Sequence, residues 1–234
     1  MQITQCPSPN FGPRRHGGPP DLILLHYTAM SSCDAALARL CSPEFEVSAH
    51  FLISEKGGIL QLVAQEMRAW HAGAGSWGDC SDINSHSIGI ELDNTGRTPY
   101  SEPQMAALEA LLPQIMQAWN IPPERVIGHS DMAPHRKADP GRRLDWRRLT
   151  LQGLSVWPET TPDTPAPDFA KWCQDAARFG YGTGQNMDVK CDAYLAAFRD
   201  RFRAGHRGPL DSEDMRIIQD LAQRFPVDGG RANA

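Results

Sequence analysis

No stretch of the 234-residue chain approaches the roughly 18 consecutive apolar residues that a membrane-spanning helix needs, so no such helix is expected. The paired Cys-x-x-Cys of thiolate zinc sites and redox centres is also missing. Six cysteines (Cys6, Cys33, Cys41, Cys80, Cys173, Cys191) lie at wide, irregular spacing, and a chain this long needs no staples, so reduced structural thiols are expected. There is no block of one charge. The net charge is -5 and the basic residues are dispersed apart from pairs such as Arg14-Arg15 and Arg142-Arg143, which argues against nucleic acid as a partner. Met1 to Pro20 is polar and rich in Pro and Gly, without the apolar core of a secretory signal. That leads to the expectation of a cytoplasmic protein, with holin- or particle-mediated delivery as the alternative.

What is present has the composition of an ordinary globular protein with a sizeable core. Asp21 to Tyr27 is a continuous apolar run that suits a strand buried on both faces. Val47 to Ser54, Lys56-Gly57-Gly58 and Ile59 to Val63 read as a hairpin, Ser87 to Asp93 as a further strand, and Arg125 to Gly128 as one more. After Ser101, a plausible N-cap, Met105, Leu108, Leu111, Leu112, Ile115, Met116 and Trp119 recur at helical spacing, with Pro113 expected to bend or split that helix. Strands interleaved with helices predict an α/β fold, a mixed central sheet flanked by helices. Residues 1–157 form this first domain. Residues 158–167 are a Pro-rich linker, residues 168–226 a small three-helix C-terminal domain, and 227–234 a tail.

Eight histidines invite a search for chemistry, and position singles out two. His26 ends a buried strand, where side chains project into a cleft. His129 follows the short strand at Arg125–Gly128 and precedes a run ending in Asp139-Pro140-Gly141. Two imidazoles and one carboxylate would complete the three protein ligands of a catalytic zinc with one position open. His50, amid apolar residues, reads as a hydrogen-bonded core histidine or a support to a ligand.

Five blocks occur in order: His26-Tyr27-Thr28-Ala29, Val47-Ser48-Ala49-His50-Phe51, Ala69-Trp70-His71-Ala72-Gly73, Ser87-Ile88-Gly89-Ile90-Glu91-Leu92, and Gly128-His129-Ser130-Asp131 through Asp139-Pro140-Gly141. Together they resemble the N-acetylmuramoyl-L-alanine amidase type 2 family, related to phage-type amidases and peptidoglycan recognition proteins, over the N-terminal two-thirds of the chain. His135 departs from the glycine expected in many relatives. The resemblance implies His26, His129 and Asp139 as zinc ligands, Glu91 and Lys137 as the catalytic pair, and peptidoglycan fragments or muropeptides as partners, with no obligate protein partner evident. Trp70 and His71 would line the substrate cleft, with packing the alternative for Trp70. The rival from another class is a non-catalytic muropeptide recognition protein, which would lack a ligand. The three C-terminal helices are similar to peptidoglycan-binding modules, or serve structure alone.

Overall fold

The computed structural model describes residues 2–15, 17–159, 162–182 and 187–227, without the side chains of 187–191. In chain order its elements are β1 (Ile3–Gln5), β2 (Phe11–Gly12), β3 (Leu22–Tyr27), α1 (Cys33–Cys41), β4 (Phe51–Ile53), β5 (Ile59–Gln61), β6 (Arg68–Ala69), α2 (Ile83–His86) and β7 (Ser87–Leu92). There follow α3 (Glu102–Trp119), β8 (Val126–Gly128), α4 (His129–Met132), α5 (Trp146–Leu151), α6 (Phe169–Phe179), α7 (Met187–Phe202) and α8 (Ser212–Arg224). Six strands form one sheet in the order β1-β5-β4-β7-β3-β8, while β2 and β6 make a separate antiparallel pair. Only β4 and β5 pair antiparallel within the large sheet, so it is mixed, as expected.

Alternation along β3 explains the layers. Ile23 and Leu25 face one way and, with Ile88, Ile90 and Leu92, pack under Met105, Leu108, Leu112 and Ile115 of α3. Leu22 and Leu24 face the other way and pack with Ile127 and Met132 against Trp172, Phe179, Phe198, Phe202 and Ile218 of the last three helices. Both faces of β3 are thus covered, which is why it reads as an unbroken apolar run. The C-terminal helices are therefore not attached through the linker alone; they share a core with the sheet.

Two expectations are corrected. Helix α3, capped by the Ser101 hydroxyl, is not split at Pro113, which sits on its exposed side. Cys173 is disulfide-bonded, whereas Cys6, Cys33, Cys41 and Cys80 are free as expected. Thr160 and Thr161 of the linker, the Cys191 side chain and the tail beyond Val227 lie outside the described residues. Among the described residues no helix is long and apolar enough to cross a membrane.

Candidate metal and catalytic site

Strands β7, β3 and β8 are neighbours and parallel, so their C-terminal ends open at one edge of the sheet, where ligands bind in such folds. His26 near the end of β3, Glu91 near the end of β7 and His129 just after β8 meet there. His26 and Glu91 are register partners, and Ile88, Ile90 and Leu92 take the opposite face, so both polar side chains emerge on the side of Leu22 and Leu24. Asp139 arrives from the following loop, whose carbonyl accepts the Ser130 N–H at 2.8 Å.

Three donor atoms converge. His26 Nδ1 lies 2.9 Å from His129 Nδ1 and 2.9 Å from Asp139 Oδ2, and His129 Nδ1 lies 3.0 Å from the same oxygen. All three residues are buried. The surrounding bonds assign the tautomers. Ala72 C=O can only accept, so His129 Nε2, 2.8 Å away, carries a hydrogen and the neutral ring has a bare Nδ1. On the other side the Ser87 hydroxyl donates to Ile83 C=O at 2.6 Å and accepts from His71 Nε2 at 3.3 Å. That leaves His71 Nδ1 bare, ready to accept from His26 Nε2 at 3.0 Å, and His26 Nδ1 bare in turn.

The electrostatics agree. Burial, followed by the repulsion of His129, lowers His26 to about 4, so its ring is neutral near pH 7. Burial would raise Asp139, yet its close approach to the His129 and His26 rings outweighs it and holds the carboxyl well below the usual range. Two bare nitrogens and an ionised oxygen thus face one another with no donor between them, an arrangement that a cation would satisfy. Two neutral imidazoles and a carboxylate are the chemistry of a zinc site.

Glu91 stands beside this group with its Oε2 buried and without a hydrogen-bond partner. Burial, then the Asp139 charge, pushes it up to about 8 against the opposing pull of Lys137. Lys137 is exposed on the wall of the same cleft, a space of about 480 Å³ that Trp70, Arg136 and Tyr27 also line. His71 touches the cleft, but its ring nitrogens are committed to His26 and Ser87, so its principal contact is a member of the donor set rather than open space. A side chain at Gly89 would collide with the His71 ring at 2.5 Å, so glycine at that strand position makes room for it. His50 is buried, accepting Gly89 N–H through Nδ1 and donating to Met67 C=O through Nε2, which fits the hydrogen-bonded core histidine of the two readings given for it.

Sequence reasoning missed Asn84, whose Oδ1 accepts the His71 and Ala72 N–H groups, and Arg136, which binds the carbonyls of Ala72 and Ala74. Both fix the loop that anchors His129, and Arg136 had no signal beyond its place beside Lys137.

A family model described as N-acetylmuramoyl-L-alanine amidase matches residues 16–142, more than half of the chain. The chain belongs to this family. The N-acetylmuramoyl-L-alanine amidase AmiD of Escherichia coli (strain K12) is 33% identical over 235 residues, covering 88% of this chain and 84% of that protein. A solved complex of E. coli AmiD with anhydro-N-acetylmuramic acid-L-Ala-D-gamma-Glu-L-Lys superposes with a TM-score of 0.80 at 32% identity, covering 89% of this chain and 91% of that one. The 1,6-anhydro-N-acetylmuramyl-L-alanine amidase AmpD of Salmonella typhimurium (strain SL1344) is 31% identical, and its match covers 96% of AmpD but 69% of this chain. The N-acetylmuramoyl-L-alanine amidase family thus includes a member about as long as this chain and a shorter one.

Proposed function

We propose that the chain is a zinc-dependent N-acetylmuramoyl-L-alanine amidase that hydrolyses the lactyl–L-alanine amide of muropeptides. The observation that carries this reading is the meeting of three bare donor atoms from His26, His129 and Asp139 beside a carboxyl poised to hold a proton. When bound, zinc supplies Lewis acidity and brings the deprotonation of water near neutral pH.

The chain's own groups do the rest. Glu91 takes the proton of the attacking water and returns it to the amine of L-alanine as the C–N bond breaks. Its pKa of about 8 would fall with a cation held by His26, His129 and Asp139, toward the range where a carboxyl exchanges protons readily at neutrality. Lys137 presents an ammonium to the same cleft, where it offsets the negative charge that develops on the lactyl carbonyl oxygen. Trp70, half-buried on the cleft wall, offers an apolar face to sugar or peptide. The substrate held by the AmiD relative contains the amide in question, which supports a muropeptide as the substrate class. A recognition protein would not need Glu91, and the complete donor set with Glu91 favours the enzyme.

The test is metal content together with products. The purified protein should carry about one zinc, and digestion of an anhydro-muropeptide should release the intact stem peptide and the free sugar acid by mass spectrometry. Cleavage within the stem peptide, or full turnover after rigorous metal removal, would overturn the reading.

A further inference from the structure

The last three helices have a role in the reaction centre that can be followed atom by atom. Asp131 lies in the α4 turn that begins with His129, and both of its oxygens are used. Oδ2 accepts Gly128 N–H at 2.8 Å and the Arg201 guanidinium at 2.8 Å, while Oδ1 accepts the Tyr181 hydroxyl at 2.9 Å. Arg201 belongs to α7, and Tyr181 follows α6. We propose that Arg201 and Tyr181 act as positioning residues for the metal site, holding Asp131 and through it the turn that aims His129 and Asp139. The proposal rests on the zinc reading above.

The mechanical links are short. Gly128, whose N–H Asp131 holds, immediately precedes His129, and its backbone lies so close to the loop after Asp139 that a side chain there would come within 2.7 Å of Pro140 Cδ. Ser130 N–H is bound to Asp139 C=O at 2.8 Å. Residues 128–131 and 139–140 therefore move as one piece, and that piece carries two of the three ligands. Arg201 also ties the piece to the sheet, since its other nitrogen reaches Val126 C=O at 3.1 Å and Ser155 Oγ at 3.3 Å. Its guanidinium lies 4.3 Å from the Trp146 ring centroid and 4.9 Å from that of Phe202. In this buried setting the planar fork packs against two aromatic rings, and a lysine would not reproduce its geometry. Tyr181 works on a second route, packing edge-on against Trp77 at 5.4 Å. The loop of Trp77 carries Ala72, the acceptor of His129 Nε2–H, and is pinned to α4 by Ser76 N–H on Met132 C=O at 2.9 Å.

A buried ion pair can also be mere glue, and Arg199–Asp214, buried within the helices, supplies the control because, among the described residues, neither partner bonds to Asp131. The experiment uses the full chain and measures zinc affinity by competition with a chromogenic chelator, together with the visible spectrum of the cobalt-substituted protein. Arg201→Met should weaken zinc binding by about 10–100-fold and Tyr181→Phe by about tenfold, the range for groups that orient ligands. Both should alter the cobalt bands, whereas Arg199→Met should lower stability and leave the zinc affinity and cobalt spectrum of its folded fraction unchanged. Tyr181→Phe removes a single oxygen, so it decides the matter if Arg201→Met does not fold. A folded Tyr181→Phe protein with wild-type zinc affinity and cobalt spectrum overturns the proposal, as does an Arg199→Met protein that loses zinc equally. Wild-type protein that binds no zinc would instead overturn the reading on which the proposal rests.

Discussion

The buried imidazole of His50 makes the stability of this protein depend on acid in a way that one substitution isolates. Burial lowers its pKa to about 3, against a weak opposing effect of its bond to Met67 C=O, while the unfolded chain has the ordinary value of about 6.5. Because the folded value is the lower one, the neutral ring's contribution is complete above about pH 6.5 and is lost as pH falls from there toward the folded pKa. At about pH 5 the unfolded chain has gained a proton that the folded chain refuses. The gap of ~1.5 units at ~1.36 kcal/mol each is a loss of ~2 kcal/mol. His50→Gln removes that titration. At neutral pH the variant should be the less stable by about 1–3 kcal/mol, because Gly89 N–H loses its acceptor in a buried strand. Urea melts followed by tryptophan fluorescence, run on metal-free protein at about pH 7.5 and about pH 5, read the difference between the two proteins, in which the titration they share cancels. The gap should narrow by roughly 2 kcal/mol on acidification. A gap that stays constant would mean that His50 is not held neutral by burial, and the reasoning would fail.

Glu91→Gln should retain about one zinc while kcat falls by about 10²–10⁴-fold, since the amide keeps the shape but cannot take a proton. Wild-type turnover in that variant would exclude Glu91 as the base. A chain ending near residue 157 would uncover Leu22, Leu24, Ile127 and Met132 on one face of the sheet and leave Asp131 without Arg201 and Tyr181. It should therefore collect as aggregate or melt far below the full chain in calorimetry, and a soluble fragment of native stability would show that the face needs no cover.

His26 and His129 were readable in the sequence because one ends a strand and the other follows one, and parallel strands bring their ends together, whereas Asp139, in the loop after α4, was reached only through the family resemblance. His26 and Glu91 are register partners for that reason. The orientation of His71 was not readable. Its place in a loop suits a cleft wall, and only the space above Gly89 and the hydroxyl of Ser87 turn its ring toward His26. Pro113 misled because a missing N–H is costly only where the backbone has no other recourse, and the exposed side of α3 gives it one. The helical periodicity of α6, α7 and α8 was legible, yet periodicity says that a face is apolar without saying what it covers. That the cover is the catalytic sheet, and that one arginine on it reaches Asp131, depends on contacts far apart in the chain that no local pattern records.

The separation of Asp131 and Arg201 by 70 residues also gives the protein a timetable. A ribosome working at about 5–20 residues per second exposes the ligand-bearing turn some ~4–14 s before it delivers the arginine. From the synthesis of Asp139 until that of Tyr181 every proposed ligand of the metal group is present, but the buried carboxylate that steadies two of them has only one of its three bonds, the one to Gly128. The nascent chain thus acquires its ligands early and its working geometry late, so a ribosome that stalls in the linker releases a protein with every ligand present and the site unset.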